Sequence, residues 1–213
     1  MLGQTENIKI IIKIKEYTLD KMKSNLNQIL DGSIHIETNF FDNIDLYKSI
    51  IKEMSQTNTK ETYQPWSANY GNRMQGMPCY ESLFNFKKDY IINKIEKTLN
   101  LNVIDYNCIY RKIITEELKK SQCNGRYGFI HEDSKAIKTN QSVLSAVMHF
   151  EQSFNGGTAF FENNYDKIPD IYVSAYPNRM ILYNGKRWHA PAFDYSFKER
   201  NSLAFFLVVK DRL

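Results

Sequence analysis

This sequence holds no apolar run long enough to cross a bilayer. Its strongest early candidate, IKIIIKIK, is broken by lysine at every second or third place, whereas a spanning helix needs about 20 apolar residues in succession. It reads as a strand, and no membrane partner is expected. Cysteine is scarce. Cys79, Cys108 and Cys123 are an odd set without metal-type spacing and with no secretory leader pattern before them, so neither a disulfide framework nor a zinc module is expected. A reducing cytoplasm, or a host's cytoplasm if the gene is viral, is the expected compartment. Nor is charge of one sign gathered anywhere. The 28 basic and 24 acidic residues leave a net charge of +4, with lysines spread along the chain, so the basic footprint of a nucleic-acid binder is missing. A small anionic co-substrate remains compatible. Internal repeats and low-complexity segments are absent as well.

What is present suits a folded domain: 42% hydrophobic, 14% aromatic and 24% charged residues over a length of 213, enough for one good-sized core. A single domain over 1–213 is expected, in two textures. Up to about residue 102 the periodicity is mixed. Ile8, Ile10, Ile12 and Ile14 alternate as on a half-buried strand, and Leu19, Met22, Leu26, Ile29 and Leu30 share a helical face that DGS at 31–33 would stop. IHIETNFF returns to a strand. Asp42 or Asn43 is then placed to cap a helix carrying Ile44, Tyr47, Ile51 and Met54 on one stripe. A further helix is expected over about 82–98, with Ile91, Ile95 and Leu99 inward. Between these helices, 62–80 is rich in Gly, Pro, Asn and aromatics and reads as a long loop.

From 103 onward short runs of Ile, Tyr, Val and Phe predict strands at 104–115, 126–131, 142–150, 158–162, 171–176, 179–184, 187–190 and 201–209. So many short strands point to a sandwich or barrel. The expected fold class is α+β: a double-stranded β-helix (jelly roll) core over 103–213, with the N-terminal helices of a 1–102 support region packed on one sheet.

The chemistry concentrates in RYGFIHEDSK. His131 and Asp133 lie two apart at the end of a predicted strand, which turns both side chains to one side. His189 follows in another predicted strand. Arg200 heads the last apolar strand, with Ser202 two residues on and therefore on the same side. Two imidazoles and one carboxylate on one face of an octahedral ion leave three positions open, the arrangement of non-haem Fe(II) oxygenases, which bind a bidentate 2-oxo acid and dioxygen there. An arginine fork would meet the acid's distal carboxylate with two parallel hydrogen bonds. Plain alternatives exist for each residue. His149 and Glu151 in MHFEQ form a competing pair, Arg200 could pair with Glu199 at the surface, and His189 could be a core histidine packed by Trp188. The pair at 131 and 133 is preferred because it adjoins a polar loop where a site opens. His149 then becomes a hydrogen-bonded barrel histidine behind the site.

On these residues the chain resembles the Fe(II)- and 2-oxoglutarate-dependent dioxygenases, the prolyl-hydroxylase-like group and its small microbial and phage members included. His131-x-Asp133, NGGTAFFEN, His189 and Arg200-x-Ser202 carry the resemblance. It implies Fe(II) held by His131, Asp133 and His189, 2-oxoglutarate anchored by Arg200 and Ser202, and O2 as the other co-substrate. The implied reaction hydroxylates a C–H bond of an amino acid, peptide or other small substrate and releases succinate and CO2. Gly156 and Gly157 would make a tight turn beside the metal, with Phe160 or Phe161 walling the pocket. Tyr110 or Tyr127 is expected to donate a hydroxyl to the co-substrate. Trp66, Tyr70 and Arg73, on a loop with the composition of a closing lid, are the candidate substrate contacts.

Two departures narrow the substrate. Prolyl hydroxylases usually carry lysine where Arg200 stands, so a proline substrate does not follow. Nucleic-acid demethylases carry a second arginine where this chain has LAFFLVV, so nucleic acid is not expected. Retention of Asp133 implies hydroxylation, since the halogenases that resemble the family replace that carboxylate with a small residue. The alternative function is a non-catalytic metal- or ligand-binding jelly roll.

Overall fold

Helices α1 (Leu26–Leu30), α2 (Ile44–Gln56) and α3 (Lys88–Leu99) pack against one face of a seven-stranded antiparallel sheet. The structure is a computed structural model that describes residues 26–63, 77–121, 125–128, 130–133 and 140–210. Along the sheet the order is β1 (His35–Glu37), β8 (Arg179–Asn184), β5 (Gln141–His149), β10 (Glu199–Lys210), β4 (Val103–Ile114), β3 (Pro78–Leu83) and β2 (Lys60–Tyr63). A second, three-stranded sheet runs β7 (Ile171–Ala175), β6 (Ser153–Phe160) and β9 (His189–Ala192). A short helix, α4 (Thr115–Lys120), follows β4.

The long central strands explain the architecture. In β10, Leu203, Phe205 and Leu207 enter the helix-side core, while Arg200, Ser202 and Ala204 line a cavity on the other face. A strand covered on both sides needs few exposed positions, which is why LAFFLVV reads as a continuous apolar run. The same alternation sends Leu144, Ala146 and Met148 of β5 to the helices and Ser145 and Val147 to the cavity. The two sheets meet through Phe160 and Val173 on one and Ile181 and Tyr183 on the other.

The helices depart from the sequence reading in detail. Asn43, not Asp42, caps α2: its Oδ1 accepts from the amides of Asp45 at 2.8 Å and Leu46 at 3.2 Å. The buried stripe of α2 is Tyr47, Ile50 and Met54, whereas Ile44 and Ile51 are 56% and 38% exposed. At 100° per residue Ile50 and Ile51 are both plausible neighbours of Tyr47, and only the tilt of the helix on the sheet chooses between them. α3 begins at Lys88 because Pro78–Leu83 is instead a strand, pairing with β4 from Tyr80 opposite Lys112 to Leu83 opposite Ile109. The strand expected over 126–131 is reduced to two bridges, Tyr127 with Ala192 and His131 with His189. Residues 8–14 and 19–25, for which a strand and the start of a helix are expected, lie outside the described residues.

Asn178 ties the helical layer to the sheet. Its side chain accepts from the Phe41 amide at 2.8 Å and donates to the Phe41 carbonyl at 2.9 Å, while its own N–H donates to the Tyr47 hydroxyl at 3.1 Å. Its φ of 58° is a left-handed conformation that asparagine tolerates better than most residues. Among the described residues no helix is long and apolar enough to cross a membrane.

Candidate metal centre

His131 and His189 face each other across an antiparallel bridge in which each amide donates to the other's carbonyl at 2.9 Å. The Asp133 amide donates to the Gly185 carbonyl at 2.8 Å, which pins the third member against the large sheet. One ligand atom from each of the three lies within 4.8 Å of the others. Asp133 reaches His131 Nε2 at 3.6 Å and His189 Nε2 at 3.2 Å, and all three residues are buried. Burial works against the Asp133 carboxylate, yet the adjoining His189 and His131 imidazoles hold it well below the usual range, so it is ionised.

The supporting hydrogen bonds orient these groups. His189 Nδ1 lies 2.8 Å from the Arg187 carbonyl, which only accepts, so Nδ1 carries a proton and Nε2 is the atom turned toward Asp133 and available to a metal. Ser145 Oγ donates to Asp133 Oδ2 at 2.8 Å from the floor of the cavity. The same cavity is lined by Arg111, Thr158, Tyr183, Arg200 and Ser202.

Arg200 is buried without a full set of partners. Its Nη1 donates to Ser202 Oγ and its Nη2 to the Gly157 carbonyl, both at a long 3.4 Å, and among the described residues its Nε has no partner. Buried guanidinium donors left open are costly unless an anion completes them. The alternative of a surface pair with Glu199 fails, since Glu199 instead accepts from Asn201 and is exposed. A nitrogen, nitrogen, carboxylate donor set fits a divalent ion, and the open cationic donors beside it fit an anion.

No family model and no curated protein matches the sequence. Solved structures match by fold. A prolyl-4-hydroxylase from Pseudomonas putida superposes with a TM-score of 0.57 at 13% identity, over 90% of this chain and 99% of that one. A prolyl hydroxylase from Trichoplax adhaerens, in complex with a hypoxia inducible factor oxygen degradation domain peptide fragment, matches with a TM-score of 0.53 at 13% identity, covering 85% and 86%. HygX from Streptomyces hygroscopicus, with nickel, 2-oxoglutarate and hygromycin B bound, matches with a TM-score of 0.51 at 9% identity, covering 85% and 84%. The chain shares its fold with these hydroxylase and oxygenase structures.

Within this oxygenase fold several expected residues take other places. Tyr110 belongs to the helix-side core, and its hydroxyl donates to Asn201 Oδ1 at 2.7 Å. Tyr127 joins an outer cluster, edge-on to Phe161 at 5.7 Å and beneath the Arg126 guanidinium. Neither lines the cavity. Gly156 and Gly157 are not a turn at the metal but part of β6, where the pairing with β7 slips between Ser153 and Gly157, beside Arg200. A Cβ on Gly157 would lie 2.1 Å from the Val173 carbonyl, and its φ is +152°, so only glycine fits. Phe160 packs toward the site, 4.9 Å from Tyr183 and 6.4 Å from His189 between ring centres, while Phe161, equally buried, packs with Tyr127 and Trp188 in a separate cluster.

His149 is buried beneath the cavity, 3.4 Å from Thr158 Oγ1, and is no member of the triad. Trp66, Tyr70 and Arg73 lie outside the described residues. Arg111, Ser145 and Thr158 are polar cavity residues that sequence reading passes over. Strand parity was the available signal for Arg111: it adjoins Tyr110, so if one of them faces the cavity the other does not.

Proposed function

We propose that this protein is a non-haem Fe(II)- and 2-oxoglutarate-dependent oxygenase, with His131, Asp133 and His189 as iron ligands and Arg200 with Ser202 as the co-substrate anchor. The observation that carries the reading is the convergence of a buried His-Asp-His cluster and a buried, incompletely bonded arginine on one cavity. We read the two facing sheets as the jelly roll of that family. Bound Fe(II) would supply the oxidising chemistry of the family, coupling 2-oxoglutarate decarboxylation to hydroxylation of a substrate C–H bond.

The chain's own residues then have defined tasks. Arg187 keeps His189 in the tautomer that presents Nε2, and Ser145 keeps Asp133 from rotating out of the ligand plane. Arg200 fixes one end of the acid, so that its keto-acid end meets the metal in one orientation. Tyr183 and Phe160 close the wall beside His189 and exclude water from it. A ligand-free metal-binding protein would have no use for the open donors of Arg200. An amino acid, peptide or other small molecule is the proposed prime substrate, and hydroxylation the proposed outcome, because Asp133 occupies the position a halide would need.

The test is an anaerobic titration of Fe(II)-loaded protein with 2-oxoglutarate, followed by succinate release in air. A weak visible charge-transfer band and succinate formation in the wild type, both lost in His131→Ala, are the expected result. A wild-type protein that binds Fe(II) but gives neither would overturn the reading.

A further inference from the structure

Arg111 stands on β4 directly opposite Ser202 of β10, and its side chain enters the cavity that holds the triad and Arg200. Period-two alternation puts it on the same face of β4 as Ile113, which is fully buried. A guanidinium on such a face is stable only when it is paired. Glu81, directly across on β3, accepts from Arg111 Nε at 2.6 Å, with the two side chains only 14% and 13% exposed. That bond fixes one edge of the fork. Among the described residues the terminal Nη atoms make no hydrogen bond.

Two cations therefore share one cavity with donors to spare. Burial lowers the Arg200 pKa, and although Glu151 opposes this, the Arg111 charge lowers it further. Cys79, which feels both guanidiniums, supplies no counter-charge, because burial pushes its thiol up to about 12. The register shows which end of the cavity they occupy. Ser145, the partner of Asp133, lies opposite Phe206 on β10, whereas Arg111 lies opposite Ser202, whose hydroxyl touches Arg200. Arg111 is thus in register with the anchor end, although the Asp133 charge still reaches its guanidinium.

Resting on the function proposed above, we infer that Arg111 and Arg200 together clamp the distal carboxylate of the 2-oxo diacid, with Glu81 positioning Arg111. Two forks on one carboxylate make the cavity selective for a diacid over a 2-oxo monoacid, since a monoacid leaves the terminal donors of both guanidiniums open.

The test is an anaerobic titration of the Fe(II)-loaded protein with 2-oxoglutarate and with pyruvate, which has the keto-acid end but no distal carboxylate, read from the visible band. Arg111→Met is expected to weaken 2-oxoglutarate by about 10- to 100-fold, the scale of a lost charge-assisted pair, and to leave pyruvate affinity as in the wild type. Combined with Arg200→Met, it should cost less than the product of the two single losses, because both act on one group. Glu81→Gln and Arg111→Lys, which keep the side-chain bulk, should shift the ratio of 2-oxoglutarate to pyruvate affinity in the same direction by a smaller factor. Equal weakening of both acids would place Arg111 at the metal end, and an unchanged ratio in all three variants would remove it from the site. Either outcome overturns the inference. A wild-type protein that gives no band with either acid would instead overturn the functional reading.

Discussion

At the residue scale, two buried strand histidines have different partners. His189 presents Nε2 to Asp133, whereas His149 is buried beside Thr158, and burial followed by the Arg200 and Arg179 charges drives its pKa well down. His189→Ala is expected to abolish Fe(II) binding in an anaerobic metal titration. His149→Ala is expected to leave it intact, and loss of metal in that variant would move the site to the HFE pair. Ser145→Ala tests the support of the carboxylate. Removing a group that orients a metal ligand typically costs about 10- to 100-fold in affinity, and here the loss should appear without a change in 2-oxoglutarate selectivity. The proposed ligand residues are legible because a His-x-Asp step and a distant histidine have a distinctive chemistry. Ser145 was not, since a serine in an apolar strand carries no mark of what it faces.

At the scale of elements, periodicity located the strands well and helix faces less well. β5, β8 and β10 fall within a few residues of their expected ranges, because a strand in a sheet covered on both sides must be apolar along its length. The α2 stripe was drawn through Ile51, but the packed residue is Ile50. Ile50→Ala should destabilise the protein by about 2–5 kcal/mol, the cost of emptying a buried aliphatic site. Ile44→Ala, at a position 56% exposed, should stay within about 0.5 kcal/mol. Urea unfolding of the two variants checks both, and comparable losses would contradict the packing of α2. The β2 and β3 hairpin was read as part of a loop and of a helix. Its strand character comes from the free edge of β4, which local sequence does not display.

At the scale of the whole molecule, stability should depend on pH through the buried His149. In the folded protein its pKa is well depressed, first by burial and then by Arg200 and Arg179, so the imidazole stays neutral while the unfolded chain takes up a proton below about pH 6.5. The unfolded state then binds more protons, and stability falls as pH drops from about 6.5 toward the folded-state pKa, by at most about 1.4 kcal/mol per pH unit for this one group. His35, lowered chiefly by burial, adds in the same direction. Asp133 works in a separate window, since its depressed pKa stabilises above the unfolded carboxyl value near 3.8 and is lost only as pH falls further. Urea unfolding between pH 7.5 and 5.5 should show the slope, and His149→Gln should reduce it. An unchanged slope would mean that His149 is not buried neutral.

By itself, the sequence determined the broad class of fold and singled out the metal-ligand set and anchoring arginine proposed here, since alternation along strands and the chemistry of the side chains are properties of the chain alone. Tertiary structure decided the rest. Which face of β4 meets the cavity follows from how the sheet is covered, and it exchanged Tyr110 for Arg111 as the residue beside Ser202. The approach of β6 to β7, too close for a Cβ on Gly157, and the meeting of Ser145 with Asp133 likewise join residues that no local pattern relates. Such contacts arise from the register between strands, and register is fixed by the packing of the entire sheet.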